Sequence, residues 1–284
     1  MSDPVDSDRN RENDLQPEWD PSVHRLPVWA TIREAVQAIA KEWKALLKGI
    51  AVPALVLAAV NVFFQRNPEY VEAVFPDLSS ILQVLLQIVA ESALSVGFAM
   101  MIAISCHRLV ILGVDSLPSA WGLFWSRRET RFLGWSMLIS LITFLPLVVL
   151  PILVGILVAV LGPSLAVSAA VAVAFIAPVL LVLPFVLYAS ARLSLVLPAT
   201  AIGQRPTLKG SWRLSRSNGW RLALVMLLPS LVLIPLSLGS LQLGGIAPQF
   251  LAAFPLVLLG LIGIASLSKA FCWFTGEIEA KSPS

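Results

Sequence analysis

Long apolar runs separated by short polar connections dominate the chain, near residues 49–64, 86–108, 135–160, 167–191, 221–240 and 250–270. Several reach the ~20 residues that an α-helix needs to cross a hydrocarbon layer ~30 Å thick. They lack the alternation of apolar and polar positions that marks a barrel strand. The pattern predicts an all-α polytopic membrane helix bundle in which six transmembrane helices form three hairpins.

A different period precedes the first run. Trp29, Ile32, Val36, Ile39, Trp43 and Leu46 recur at steps of three and four, and Arg33, Gln37, Lys41 and Lys44 lie on the other side. This is one apolar face of a helix, with Pro27 suited to its first turn because the missing N–H would have no partner there. It reads as an amphipathic helix in the membrane interface, or as one whose stripe packs on the bundle. Related features recur along the chain. Trp29, Trp121 and Trp212 are spaced by 92 and 91 residues, and Trp43 precedes Trp135 by 92. Each copy opens on a proline (Pro27, Pro118, Pro206), reaches a second tryptophan (Trp43, Trp135, Trp220), and carries a proline inside the following run (Pro53, Pro146, Pro229). Each closes on small residues before a cation: Arg108, Arg192 or Lys269. The expectation is a threefold repeat over about 25–113, 114–198 and 199–275, each hairpin preceded by a cytoplasmic interfacial helix, with an axis along the membrane normal. Tryptophan and arginine at span ends also serve as plain interfacial anchors, since an indole is apolar with one donor and a guanidinium snorkels to head groups.

Composition agrees with this class: 57% of residues are hydrophobic and 13% charged, and the mean hydropathy is +0.84. The distribution of cations sets the expected orientation. Segments 24–48, 108–131, 192–221 and 269–284 hold five, four, six and two Lys or Arg, whereas the opposite loops hold Arg66 alone. Because Lys and Arg are retained on the cytoplasmic side, both termini are expected there. The pI of about 9.1 therefore reports topology rather than nucleic-acid binding, and no nucleic-acid partner is expected. Residues 1–24 carry seven acids against Arg9 and Arg11 and no apolar h-region, so they read as a disordered acidic cytoplasmic tail and not as a signal peptide. Residues 25–275 form the transmembrane domain, and 276–284 a short cytoplasmic tail.

Catalytic chemistry has little support. Two histidines, His24 and His107, and two cysteines, Cys106 and Cys272, offer no cluster at zinc-ligand spacing and no disulfide framework. The phosphate-binding loop GxxxxGK[ST], a GxGxxG after a strand and the GxSxG elbow are all missing. The chain is expected to need no cofactor or metal and not to be an enzyme. Two polar constellations stand out instead. Gln83, Gln87, Glu91 and Ser95 recur every fourth residue inside an apolar run, so they share a helical face that should avoid lipid. They form a candidate intramembrane site, or they hydrogen-bond between helices. Arg205, Lys209, Arg213 and Arg216 would align on one helix without an acid nearby, flanked by Trp212 and Trp220. This stripe is a topology signal, or a site for an anionic head group or the acidic tail.

The block LYASARLSLVLPATAIGQRPTLKGSWRLSRSNGWRLAL at 187–224 resembles the YciC-like and glycerophosphodiester-phosphodiesterase membrane-domain-like families of bacterial six-span proteins. HRLVILG at 107–113 and RRETRFLGW at 127–135 look like the matching block of α-proteobacterial members. The resemblance implies a bacterial inner-membrane location and no assigned reaction; the soluble phosphodiesterase barrel and its acidic metal ligands have no counterpart in this sequence. The reading is a non-enzymatic scaffold organising membrane lipids, anionic head groups among them, or a membrane-protein partner. The alternative is a small-solute or ion transporter or channel built around Glu91.

Overall fold

The computed structural model describes residues 24–65, 78–117, 125–161, 176–240 and 246–276. The acidic tail through residue 23, Trp121 with the segment expected to precede the second hairpin, and residues 277–284 lie outside the described residues. Among the described residues the chain is helical, with no strand. The helices are α1 (Val28–Lys41), α2 (Trp43–Gln65), α3 (Leu78–Leu112), α4 (Arg127–Leu161), α5 (Ala177–Ser194), α6 (Val196–Ala201), α7 (Leu208–Leu214), α8 (Gly219–Ser240) and α9 (Ile246–Thr275). Five apolar stretches are long enough to cross a membrane: Trp43–Val60, Leu86–Leu112, Arg127–Val158, Val179–Ala201 and Val257–Thr275. The described apolar part of α8, Gly219–Val232, is shorter.

Local chemistry explains where these helices begin and end. α3 stops at Gly113, whose φ of +91° suits a residue without a Cβ. The chain then makes a short turn whose Ser116 carbonyl accepts from Arg108 Nε and Nη2 at 2.9 and 2.6 Å. α4 starts at a capping box: Ser126 Oγ accepts from the Arg128 N–H at 3.2 Å, and Glu129 Oε2 reaches back to the Ser126 N–H at 2.8 Å. The fourth span runs past the expected end at residue 191, because Arg192, Ser194 and Thr200 are buried with partners inside the protein. It carries a one-residue break at Leu195, three positions before Pro198, where the missing N–H interrupts the backbone ladder.

α2 packs along α3, α4 along α5, and α8 along α9, while α9 also touches α1, α2 and α3. Half of the Val257–Thr275 stretch is buried, against 11% of Arg127–Val158, so α9 is central and α4 peripheral. One core joins Leu26, Leu195, Leu222, Phe271 and Phe274. A second joins Ala35, Ile39, Ile50, Ile102 and Leu261. Both gather near the ends of the spans that carry Arg108, Arg192 and Lys269. Farther along α4, Leu141, Phe144, Val148, Ile152 and Leu157 remain exposed, as apolar side chains facing lipid would be.

The stripe on α1 divides in two. Thr31, Ala35 and Ile39 are buried against the bundle, whereas Trp29, Val36 and Trp43 are exposed. The continuous face expected over 29–46 is interrupted because the chain bends at Glu42, whose φ and ψ are −108° and 22°. The segment just before α1 is pinned as well. Asn218 Oδ1 accepts from the Leu26 N–H at 2.9 Å and its Nδ2 donates to the His24 carbonyl at 2.9 Å, so His24 and Leu26 are tied to the start of α8.

Candidate functional site

Arg192, expected to reach toward head groups at a span end, is only 4% exposed. Its Nε donates to Ser215 Oγ at 3.1 Å, Nη1 to Tyr188 Oη at 2.9 Å, and Nη2 to the Trp212 carbonyl. The guanidinium carbon lies 3.8 Å from the centre of the Trp212 ring and 5.2 Å from that of Tyr188, within cation–π range. Ser211 Oγ donates to the Arg192 carbonyl, and Trp220 stacks obliquely on Tyr188 at 4.8 Å. Gly219 permits this packing, since a Cβ there would meet the Tyr188 ring at 2.5 Å and Arg192 Cδ at 3.0 Å. Among the described residues no carboxylate pairs with Arg192. Its charge is held by neutral oxygens and ring faces, which makes Arg192 a structural tie between α5 and the α7–α8 turn.

The basic stripe of the third copy does not form on one helix. Pro206 and the Thr207 cap, whose Oγ1 accepts from the Gly210 N–H at 3.0 Å, start α7 after Arg205, and α7 ends at Leu214 before Arg216. Lys209, Arg213 and Arg216 are exposed on this short helix and the turn after it. Trp212 and Trp220 remain 41% and 57% exposed.

Arg205 instead faces the start of α4. Arg127, Thr130, Arg131 and Trp135 from α4, with Thr200, Gln204, Arg205 and Pro206 from the end of α6 and the extended linker after it, line a cleft of about 630 Å³. Among the described residues its walls present three guanidinium groups, an indole, two hydroxyls and an amide, with no carboxylate, imidazole or thiol. The nearby acid is engaged elsewhere: Glu129, 2% exposed, accepts from Arg128 Nε and Nη2 at 2.9 and 2.7 Å. Arg127 and Thr130, exposed in the N-terminal turn of α4, stand at the positive end of a 35-residue helix. Such walls can hold a phosphate or carboxylate through forked charge-assisted hydrogen bonds.

Gln87, Glu91 and Ser95 lie half-buried on α3 while the positions between them are largely exposed, so these three share the inward side; the side chain of Gln83 lies outside the described residues. Of the three span-end cations, Arg108 is tied into its own turn. Lys269 is half-buried beside a hollow of about 350 Å³ that also includes Glu34, Lys41 and Glu42. Among the described residues no group of three His, Cys, Asp or Glu side chains could hold a metal ion.

The sequence pattern singles out Arg205, and Trp135 as a repeat tryptophan, but does not bring Arg127 and Arg131 to them. The signal was present: Ser126-Arg127-Arg128-Glu129 is a capping box before an apolar run, and counting by four from it puts Arg127, Arg131 and Trp135 on one face. Compared with protein-family models, with curated proteins and with solved structures, the chain matches none.

Proposed function

We propose that the protein is a six-span scaffold of the bacterial inner membrane, built as three hairpins with both termini cytoplasmic, and that it organises anionic lipids at its cytoplasmic face without catalysing a reaction. The observation that carries this reading is the cleft of about 630 Å³ with Arg127, Arg131 and Arg205 in its walls and no carboxylate among its described lining residues. Each cation near an anionic leaflet contributes ~1 kcal/mol. Three acting together contribute about 3 kcal/mol, roughly a hundredfold in occupancy. Trp135 fits the same depth, since indoles collect where hydrocarbon meets head groups.

The test is the lipid that accompanies the full-length protein through mild purification, quantified by mass spectrometry. Arg131→Ala with Arg205→Ala should lose most anionic lipid, whereas Lys209→Ala with Arg213→Ala, exposed cations outside the cleft, should retain it. Equal loss from both pairs, or no loss from the first, refutes the cleft as the site.

A second reading, passage of a small solute or ion, is favoured by the half-buried stripe of Gln87, Glu91 and Ser95 in an otherwise apolar helix. It predicts that Glu91→Gln abolishes a proton-linked flux in proteoliposomes at unchanged expression; persistence of that flux excludes it.

A further inference from the structure

A second cavity, of about 500 Å³, lies between α3, α4, α6, α8 and α9. It is separate from the arginine cleft and shares none of its lining residues. Its walls are apolar apart from His107 and three serines, Ser136, Ser140 and Ser230. A volume within the ~300–1,000 Å³ of small-molecule sites, apolar walls and a few converging polar groups are the usual attributes of a binding pocket.

The hydrogen bonds of His107 indicate which chemistry it awaits. The ring is 1% exposed and sits 6.0 Å from Phe132. Its Nδ1 lies 2.7 Å from Ser268 Oγ. Ser268 Oγ in turn donates to the Ile264 carbonyl at 3.0 Å, so its one proton is committed there. In the tautomer that satisfies both bonds at once, the Ser268 oxygen accepts from the imidazole Nδ1–H and Nε2 is left as an acceptor. Among the described residues Nε2 has no hydrogen-bond partner. A buried acceptor left unsatisfied costs ~1–3 kcal/mol, so a ligand that brings a donor to it is favoured over one that does not.

Two glycines keep the space open. Gly260 and Gly263 of α9 line the cavity, and a Cβ on either would meet nothing within 4 Å. Helix interiors favour alanine over glycine by ~1 kcal/mol, and here glycine stands twice where larger side chains would fit and would narrow the cavity.

We propose that this cavity binds an uncharged, membrane-soluble alcohol, its apolar body among Val96, Met100 and Leu259 and its hydroxyl donating to His107 Nε2. A cationic or anionic head group is disfavoured, because the described lining residues offer no counter-charge.

The experiment uses full-length protein in lipid nanodiscs and a long-chain alcohol carrying a diazirine in its tail, with photolabelled peptides identified by mass spectrometry. Labelling should fall on α3, α4 and α9, and should be displaced at least tenfold better by dodecanol than by its methyl ether, which has the same tail but no donor. His107→Phe should abolish that discrimination, whereas His107→Gln, which keeps an acceptor near Nε2, should restore it. Gly263→Leu should cut labelling at least tenfold while the protein stays folded, which covers the case in which His107→Phe does not fold. Equal displacement by alcohol and ether, or undiminished labelling of Gly263→Leu, overturns the proposal.

Discussion

Arg192 and the trio Arg127, Arg131 and Arg205 are the same side chain near the same end of the bundle, yet they are used in opposite ways. Arg192 is 4% exposed and spends its donors on Ser215, Tyr188 and the Trp212 carbonyl, with two rings covering its faces. The trio lines an open cleft in which no acid among the described residues answers the charge. A guanidinium whose forks are filled from within has nothing left to offer a ligand, and one whose forks face outward is available to an anion. The difference arises from the residues C-terminal to each arginine. Ser211, Trp212 and Ser215 fold back over Arg192, whereas Arg205 is held away from α7 by Pro206 and the Thr207 cap.

If that contrast is right, removing Arg192 should damage the fold and leave lipid selection alone. Arg192→Ala removes the charge-assisted hydrogen bonds to Ser215 Oγ, Tyr188 Oη and the Trp212 carbonyl together with the packing of a buried side chain against two rings, and the loss should be about 3–5 kcal/mol. The expected outcome is aggregation or a large fall in melting temperature, read by size-exclusion chromatography after a heating series in detergent. Arg192→Lys should recover little, since a compact ammonium cannot span the three acceptors that Nε, Nη1 and Nη2 reach, nor stack flat on Trp212. A wild-type melting profile for Arg192→Ala would remove the distinction between the two arginine environments.

The converse substitution reverses the charge of the cleft. Arg131→Glu with Arg205→Glu should expel anionic lipid by about 2–3 kcal/mol in relative affinity, near a hundredfold, with thermal stability almost unchanged because these side chains are exposed. Raising the salt concentration should weaken the wild-type association in the same direction, through screening. Gly219→Ala sharpens the comparison from the other side. Its new methyl would collide with the Tyr188 ring and the Arg192 stem, for an expected cost of about 1–3 kcal/mol with no effect on lipid content. A drop in bound lipid in Gly219→Ala at intact stability would mean that the buried arginine and the cleft act as one unit.

How far each feature is legible in the sequence depends on the same distinction. The long helices are legible because burial in hydrocarbon needs only length and apolarity, both of which are local properties. Arg192 is visible as a cation at the end of an apolar run, but not as a buried one, since its partners Trp212 and Ser215 lie 20 and 23 residues away and reach it only through the α7 turn. The face shared by Arg205, Lys209, Arg213 and Arg216 assumes a continuous helix, which Pro206 and Thr207 forestall. On α1 the apolar period marks an amphipathic helix, yet periodicity cannot say which flank meets protein and which meets the interface. Thr31 and Ala35, small enough for close packing on α9, take the buried side and leave Trp29 and Val36 outside.

The smallest effect should come from the cap that aims the cleft. Ser126 and Glu129 fix the first turn of α4, and with it the directions in which Arg127 and Arg131 leave the helix. Ser126→Ala removes the acceptor for the Arg128 N–H and the hydroxyl that donates to Glu129 Oε2, at a cost of about 1 kcal/mol in that turn. The first turn should fray, Arg127 should lose its fixed direction, and anionic lipid retention should fall by a factor of about five, with the stability contributed by Arg192 untouched. Hydrogen exchange at residues 127–130 measured beside lipid content separates the causes. Faster exchange with normal lipid would mean that Arg131 and Arg205 suffice, whereas faster exchange with reduced lipid would tie the cap to the site through the orientation of Arg127.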